Sequence, residues 1–137
     1  MACIRPTLIA VNLMLFVLAC SLTVPATEVQ PTPLQLATPQ SQSPAAGICA
    51  EPTDDEVVMR LEPGIPDPRC IIVQAGQRLR VVNHTGGDVT ISLGPYSLLL
   101  PSNGETVIGP TFGEYLLPGV HSLQVDPCCG GELWLKE

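Results

Sequence analysis

Short runs rich in Val, Leu and Ile recur along the chain after residue 48, and glycine or proline separates each run from the next. Their spacing of about 8 to 12 residues is typical of all-β sandwiches. Several runs, such as residues 88–93, alternate apolar and polar residues and so give a strand one inward face. No stretch has the sustained period of a helix. The sequence therefore predicts an all-β fold, a small antiparallel Greek-key β-sandwich.

The expected strands are bounded by turn signals such as Thr85-Gly86-Gly87-Asp88 and Pro101-Ser102-Asn103-Gly104. In chain order they are Glu56–Leu61, Cys70–Gln74, Arg78–Asn83, Asp88–Leu93, Tyr96–Leu100, Glu105–Ile108, Glu114–Leu117, His121–Val125 and Glu132–Lys136.

Residues 1–19 have the pattern of a secretory signal, with Arg5 ahead of the apolar run 8–19. The run ends in Val17-Leu18-Ala19-Cys20, which resembles the lipobox of bacterial lipoproteins, and this resemblance implies that Cys20 becomes the lipid-modified first residue. The alternatives are cleavage after Ala26 and an uncleaved anchor, although Asn12 and the polar residues after Cys20 interrupt the apolar run. Each of these readings places the protein outside the cytoplasm, and the first anchors it to the cell membrane.

Residues 20–47 are rich in Pro, Thr, Ser and Gln and show no apolar period. Such a segment is expected to be a disordered or polyproline-like tether. The folded domain then spans residues 48–137, which is too short for a doubly wound nucleotide-binding fold or an α/β barrel. The net charge of −7 offers no positive surface for phosphate backbones, so nucleic acid is not an expected partner.

Several motifs appear in a fixed order along the domain: residues 73–83, VQAGQRLRVVN; residues 88–91, DVTI; residues 117–121, LPGVH; and residues 131–135, GELWL. This order, over nearly all of residues 56–136, resembles the cupredoxin family. The resemblance implies a cupredoxin-like sandwich, in which a loop after the Asn and a loop before the last strand supply copper ligands.

The copper ligands of that family do not carry over to this sequence. Gly87 and Asp88 occupy the place of the first His, while His84 follows Asn83 directly. The family's Cys position falls near Val125, and no Met follows Cys128. A type 1 copper site needs two imidazoles and a thiolate at fixed geometry. No metal is therefore expected.

Cys49, Cys70, Cys128 and Cys129 remain in the domain once Cys3 is removed with the signal and Cys20 carries lipid. An even number of cysteines outside the cytoplasm favours disulfides. Because a ring between adjacent cysteines is strained, Cys128 and Cys129 are each expected to bridge to Cys49 or Cys70, in a connectivity that the sequence does not fix. The alternative is a copper or zinc site formed by Cys128, Cys129 and His121.

Other candidate chemistry is weaker. The acidic residues Glu51, Asp54, Asp55 and Glu56 could offer oxygen ligands to calcium, but they lack the spacing of an EF-hand loop and are expected to be a solvated face. No nucleophile motif is present, so the protein is predicted not to be an enzyme. The predicted function is a lipid-anchored binding or structural module that contacts an envelope protein. The alternative is copper handling or electron transfer through the Cys/His site.

Overall fold

A computed structural model describes residues 35–127 and 129–137. In this part of the chain, strands account for most of the regular structure, together with one short 3₁₀ helix, Phe112–Glu114. The strands are β1 (Glu56–Leu61), β2 (Pro66–Asp67), β3 (Cys70–Val73), β4 (Arg78–Asn83), β5 (Val89–Leu93), β6 (Tyr96–Leu100), β7 (Glu105–Ile108), β8 (Gly119–Asp126) and β9 (Gly131–Leu135).

Two sheets form the sandwich, and this confirms the predicted fold class. One has the strand order β2-β1-β4-β7, and the other has the order β3-β9-β8-β5-β6. Most pairs are antiparallel, as expected, but β1 pairs with β4 and β3 pairs with β9 in parallel. A tight hairpin joins antiparallel strands, whereas parallel strands need a longer connection. In both parallel pairs other strands lie between the two partners along the chain.

The core lies between the two sheets and follows the alternation in the sequence. In β4, Leu79 and Val81 are fully buried, whereas Arg78, the first residue of the strand, is exposed. In β9, Leu133 and Leu135 are buried, and Trp134 between them is partly exposed. Aliphatic side chains dominate the buried set, and burial of each large one contributes roughly 1.5 to 3 kcal/mol.

The predicted strand at Glu114–Leu117 is wrong. Residues Phe112–Glu114 instead form the 3₁₀ helix, and Phe112, Tyr115 and Leu116 are buried together. Their spacing of three and four residues places them on one side of a helical turn, which the short apolar run did not distinguish from a strand. The Glu114 carboxylate fixes the start of this turn by accepting hydrogen bonds from the Thr111 N–H and hydroxyl groups.

Residues 37–50, here called the strap, cross the outer face of the five-stranded sheet. Ala37 bridges to Leu116, Ser41 bridges to Val120 of β8, and Ala50 bridges to Ile71 of β3. The domain's contacts thus begin before residue 48, within the segment that composition assigned to the tether. Residues 20–34 of that segment, which include Cys20, lie outside the described residues, as does the predicted signal.

Two glycines make room for the strap. A Cβ atom on Gly119 would lie 2.5 Å from the Cβ of Pro39, and Gly119 has a φ of +130°, which other residues rarely adopt. A Cβ on Gly94 would lie 3.2 Å from the Cβ of Ala37. The close backbone approach at both points shows that the strap fits a specific surface.

No helix among the described residues is long and apolar enough to span a membrane.

Candidate functional site

The end of the sandwich where β4 finishes is tied together by Asn83. Its side chain is fully buried, and its amide nitrogen lies 2.7, 3.1 and 3.0 Å from the carbonyl oxygens of Gly87, Leu100 and Pro101. Its amide oxygen accepts hydrogen bonds from the N–H and hydroxyl groups of Thr85. One side chain therefore joins the β4–β5 turn to the end of β6.

His84 lies at this same end, directly after Asn83. Its backbone N–H donates to the carbonyl oxygen of Leu61, and its Nδ1 atom is 2.8 Å from a carboxylate oxygen of Glu62. Both side chains of the pair are well exposed, about two-fifths of each being accessible. His84 is thus an exposed residue in a turn, with a carboxylate beside it.

His121 lies towards the other end of the sandwich, near the start of β8. It is 4% exposed, and its Nε2 atom is 2.7 Å from the carbonyl oxygen of Leu117. Because a carbonyl can only accept a hydrogen bond, Nε2 carries a proton in this contact. His121 is therefore a buried histidine with a hydrogen-bond partner.

The two histidines are too far apart to bind one ion. Asp126, at the far end of β8, pairs with Thr90 at the start of β5, which places it beside the turn that carries His84. His121 is five positions earlier in β8, so about 16 Å of strand separates it from that end. The donor set of these residues does not fit a type 1 copper ion, which needs two imidazoles within bonding distance.

The alternative metal site is not brought together either. Cys129 lies two positions before the start of β9, whereas His121 pairs with Leu133 inside that strand. Cys129 therefore lies beyond the end of the strand that holds the partner of His121. Cys128 lies outside the described residues. Among the described residues, no group of three or more His, Cys, Asp and Glu side chains could hold a metal ion.

The cysteines pair differently from the expectation. Cys49 forms a disulfide with Cys70, so neither of them bridges to Cys128 or Cys129. The bond closes a sequence separation of 21 residues and fixes the end of the strap to the edge strand β3. The predicted pairing was wrong because it assumed that Cys128 and Cys129 cannot bond to each other, and so assigned Cys49 and Cys70 to them as partners. Cys129 is itself disulfide-bonded.

The acidic residues near the start of β1 are used in separate contacts. Glu56 pairs with Arg80, and Glu51 lies 3.7 Å from Lys136. Hydrogen bonds and the charges of Glu56 and Glu105 raise the pKa of Arg80. In this part of the structure the cluster does not converge on one point, as a calcium site would require.

Gln77 is a buried polar residue that the sequence reading did not single out. Its side chain donates hydrogen bonds to the carbonyl oxygens of Pro52 and Asp54 and accepts one from the N–H of Gln74. It therefore joins the chain before β1 to the turn before β4. A glutamine next to a turn glycine was the only signal for this role, and such residues are common on surfaces.

An open polar cleft of about 580 Å³ lies between the strap and the outer face of the sheet. Both carboxylate oxygens of Glu132 accept hydrogen bonds from the N–H groups of Ala45 and Ala46, at 3.2 and 2.9 Å. The hydroxyl of Ser122 donates to the side chain of Gln40. These contacts fasten the strap to β8 and β9, and sequence reasoning missed them because the strap's composition is that of a linker.

The β6 strand is a free edge of the five-stranded sheet. The opposite edge, β3, is extended by the strap through Ala50, but β6 has one strand neighbour, β5, among the described residues. Its sequence, Tyr96–Leu100, contains no charge and no proline, and Leu99 on its outer face is 64% exposed. Edge strands usually carry a charge, a proline or a bulge that prevents pairing with another chain.

Tyr115 carries an unsatisfied polar atom. Its hydroxyl is buried and has no hydrogen-bond partner, and its ring contacts that of Tyr96 edge-on with centroids 5.0 Å apart. Burial raises the pKa of Tyr115 far above its usual value, so the hydroxyl stays protonated at neutral pH. This position acts in packing rather than in proton transfer.

Solved structures share this architecture. No known protein family and no curated protein matches the sequence. The chain is similar to a Cu(I) form of an amicyanin mutant, with 17% identity over 74% of this chain and 100% of that one, at a TM-score of 0.50. A Cu-containing nitrite reductase from Thermus scotoductus matches at 14% identity over 60% of this chain and 22% of that one, with a TM-score of 0.46. The chain therefore has a cupredoxin-like fold.

Proposed function

We propose that this protein is an extracytoplasmic binding module without catalytic activity, anchored to the cell membrane by lipid on Cys20. Its domain presents the free edge of β6 to an extended segment of an envelope protein. The observation that carries the proposal is an edge strand that is apolar, exposed and without charge. Extended partners add to such edges through backbone hydrogen bonds, while side chains in alternate positions give specificity.

Two features support an extended protein segment as the occupant. The same sheet already accepts an extended segment at its other edge, where the N–H of Ile72 donates to Ala50 and the N–H of Ala50 donates to Cys70. In addition, Ser97 and Leu99 share the outer face of β6, and the hydroxyl of Ser97 is held by Ser92. The edge is therefore ordered before a partner arrives, which lowers the entropic cost of binding.

The edge can be tested by crosslinking in cells. A photoreactive amino acid at Ser97 should form an adduct with one discrete envelope protein, and the Leu99→Lys variant should abolish that adduct because it places a charge on the edge. Val107→Lys, on the edge strand of the other sheet, is the matched control and should leave the adduct intact. Adducts only between copies of this chain, or an adduct that survives Leu99→Lys, would overturn the proposal.

The anchor is tested separately. Full-length protein should sediment with membranes and partition into detergent, whereas the Cys20→Ala variant should lose the lipid mass or remain unprocessed. Cleavage after Ala26 in the natural protein, seen as the N-terminal residue of the mature chain, would disprove lipidation without affecting the edge.

Copper handling is the alternative function, and its support is the cupredoxin-like fold alone. Copper bound stoichiometrically to protein purified from its natural compartment would favour it. The separation of His121 from Cys129 argues against the particular ligand set that the sequence suggested.

A further inference from the structure

The outward backbone groups of β6 belong to Ser97 and Leu99. Gly94 is the first residue of the short loop between β5 and β6, and its φ of +55° is typical of the type II′ turn of a hairpin. The pair that closes such a turn, here Leu93 and Tyr96, is hydrogen-bonded, and hydrogen-bonded pairs alternate with non-hydrogen-bonded pairs along antiparallel strands. Ser97 and Leu99 therefore direct their N–H and C=O groups away from β5.

The side chains of β6 agree with this alternation. In an antiparallel ladder, side chains lie closest together at the non-hydrogen-bonded pairs. Ser97 is opposite Ser92, and their hydroxyl oxygens are 2.9 Å apart. The next pair of this kind joins Leu99 to Thr90. An extended segment that adds to β6 therefore forms its backbone hydrogen bonds with Ser97 and Leu99 and passes beside the exposed side chain of Leu99.

Leu99, Thr90 and Asp126 form one row across three strands on the outer face of the sheet. Leu99 is opposite Thr90 in β5, and Thr90 is opposite Asp126 in β8. All three side chains are exposed, and Asp126 has no hydrogen bond or ion pair with any other described residue. Because neighbouring strands are about 4.8 Å apart, the Cα of Asp126 lies about 10 Å from that of Leu99 and about 14 Å from a strand added beyond β6.

The charges in this half of the domain have one sign. No lysine or arginine lies between Arg80 and Lys136, a range that contains β5 to β9. The acidic residues in the range are Asp88, Glu105, Glu114, Asp126 and Glu132. Arg80 pairs with Glu105, but no cation lies within ion-pair distance of the other four among the described residues. A cationic segment that approaches β6 is therefore attracted, and an acidic one is repelled.

We propose that the segment bound at β6 is cationic, and that one of its lysine or arginine side chains lies across Leu99 and Thr90 with its charge towards Asp126. This inference rests on the proposed function, because it names the chemistry of the partner at the same edge. The alkyl stem of such a side chain covers the apolar surface of Leu99 while the charged group stays in water. Extended along the row, it brings its charge closer to Asp126 than the Debye length of about 8 Å at physiological ionic strength.

Photocrosslinking of the purified full-length protein to synthetic peptides tests the preference for a cation. The photoreactive amino acid replaces Ser97. The probes are two short peptides of alternating threonine and valine that differ only at the central residue, which is lysine in one and glutamate in the other. The lysine peptide should half-saturate the adduct at a concentration about fivefold lower, because attraction replaces repulsion at an exposed pair of charges.

Charge-removing variants then locate the acidic group that is responsible. Asp126→Asn should reduce the preference for the lysine peptide by about threefold, the effect of one exposed ion pair. High salt should weaken the preference in wild type, because it screens exposed charges. Asp55→Asn is the matched control: it removes the same charge next to β1 of the other sheet and should leave the preference unchanged.

The outcomes separate this inference from the proposed function. Equal adduct yields with both peptides, or a preference that Asp126→Asn leaves intact, would overturn the cationic partner while the edge remained the binding surface. A preference that falls equally in Asp126→Asn and Asp55→Asn would show an effect of net charge and would refute the position assigned to the cation. Absence of adducts with both peptides would refute binding at the edge itself.

Discussion

Removing the Cys49–Cys70 disulfide tests whether it stabilises the domain through the unfolded chain. We expect the Cys49→Ala/Cys70→Ala double variant to lose about 3 kcal/mol of unfolding free energy, from the entropy of closing a loop of this size. The sequence separation that sets this value is 21 residues. For a domain of this length, such a loss lowers the thermal midpoint by roughly 15 °C.

Chemical unfolding in urea without reductant is the assay, compared with hydrogen exchange in the native state. In the variant the dependence of free energy on urea should become steeper, because the unfolded chain is no longer crosslinked. In the folded variant, the amide hydrogens of Ala50 and Ile72, which join the strap to β3, should stay as protected from exchange as in wild type. A loss under about 1 kcal/mol, or exchange at these two amides as fast as in a free chain, would refute an effect acting on the unfolded state.

Further variants test the other contacts, each by urea unfolding against wild type. Asn83→Ala should lose about 3 kcal/mol, because it leaves buried carbonyl groups without donors; a loss below about 1 kcal/mol would contradict the proposed tie between the two turns. Tyr115→Phe should gain about 1 kcal/mol by removing the unsatisfied hydroxyl, and a loss would reveal a hidden partner. Gly119→Ala should collide with Pro39 and release the strap, seen as rapid exchange of strap amides; unchanged protection would refute that contact. Hydrogen bonds from Thr111 lower the pKa of Glu114, so its contribution is present above the pKa of the unfolded chain and lost as pH falls through the folded pKa. Wild type should therefore exceed Glu114→Gln in stability at neutral pH, with the difference fading in acid; a constant difference would contradict this.

The strands were predictable because their local pattern and their burial agree. In β4 and β5, alternate residues face the core, and the turns between them carry glycine and asparagine where the chain reverses. The region 114–117 failed for a physical reason: Phe112, Tyr115 and Leu116 satisfy one helical turn as well as a strand, and the Thr111–Glu114 hydrogen bonds decide between them.

The strap and the disulfide pairing were not predictable from local sequence. Proline-rich composition describes the free chain, but the docking of residues 37–50 depends on surfaces built by distant residues, such as Gly119 and Glu132. Pairing of Cys49 with Cys70 likewise depends on the strap passing beside β3. Strand register, which local sequence does not give, likewise shows that His84 and His121 lie at different ends of the sandwich.

The arrangement around Asn83 explains how the end of the sandwich where β4 finishes is held in order. The turns after β4 and after β6 are held by one buried amide, whose nitrogen and oxygen reach three carbonyl groups and Thr85. Each such hydrogen bond contributes about 1 kcal/mol net, and an unmet buried carbonyl costs more than that. The order of this end therefore depends on Asn83 and its hydrogen bonds.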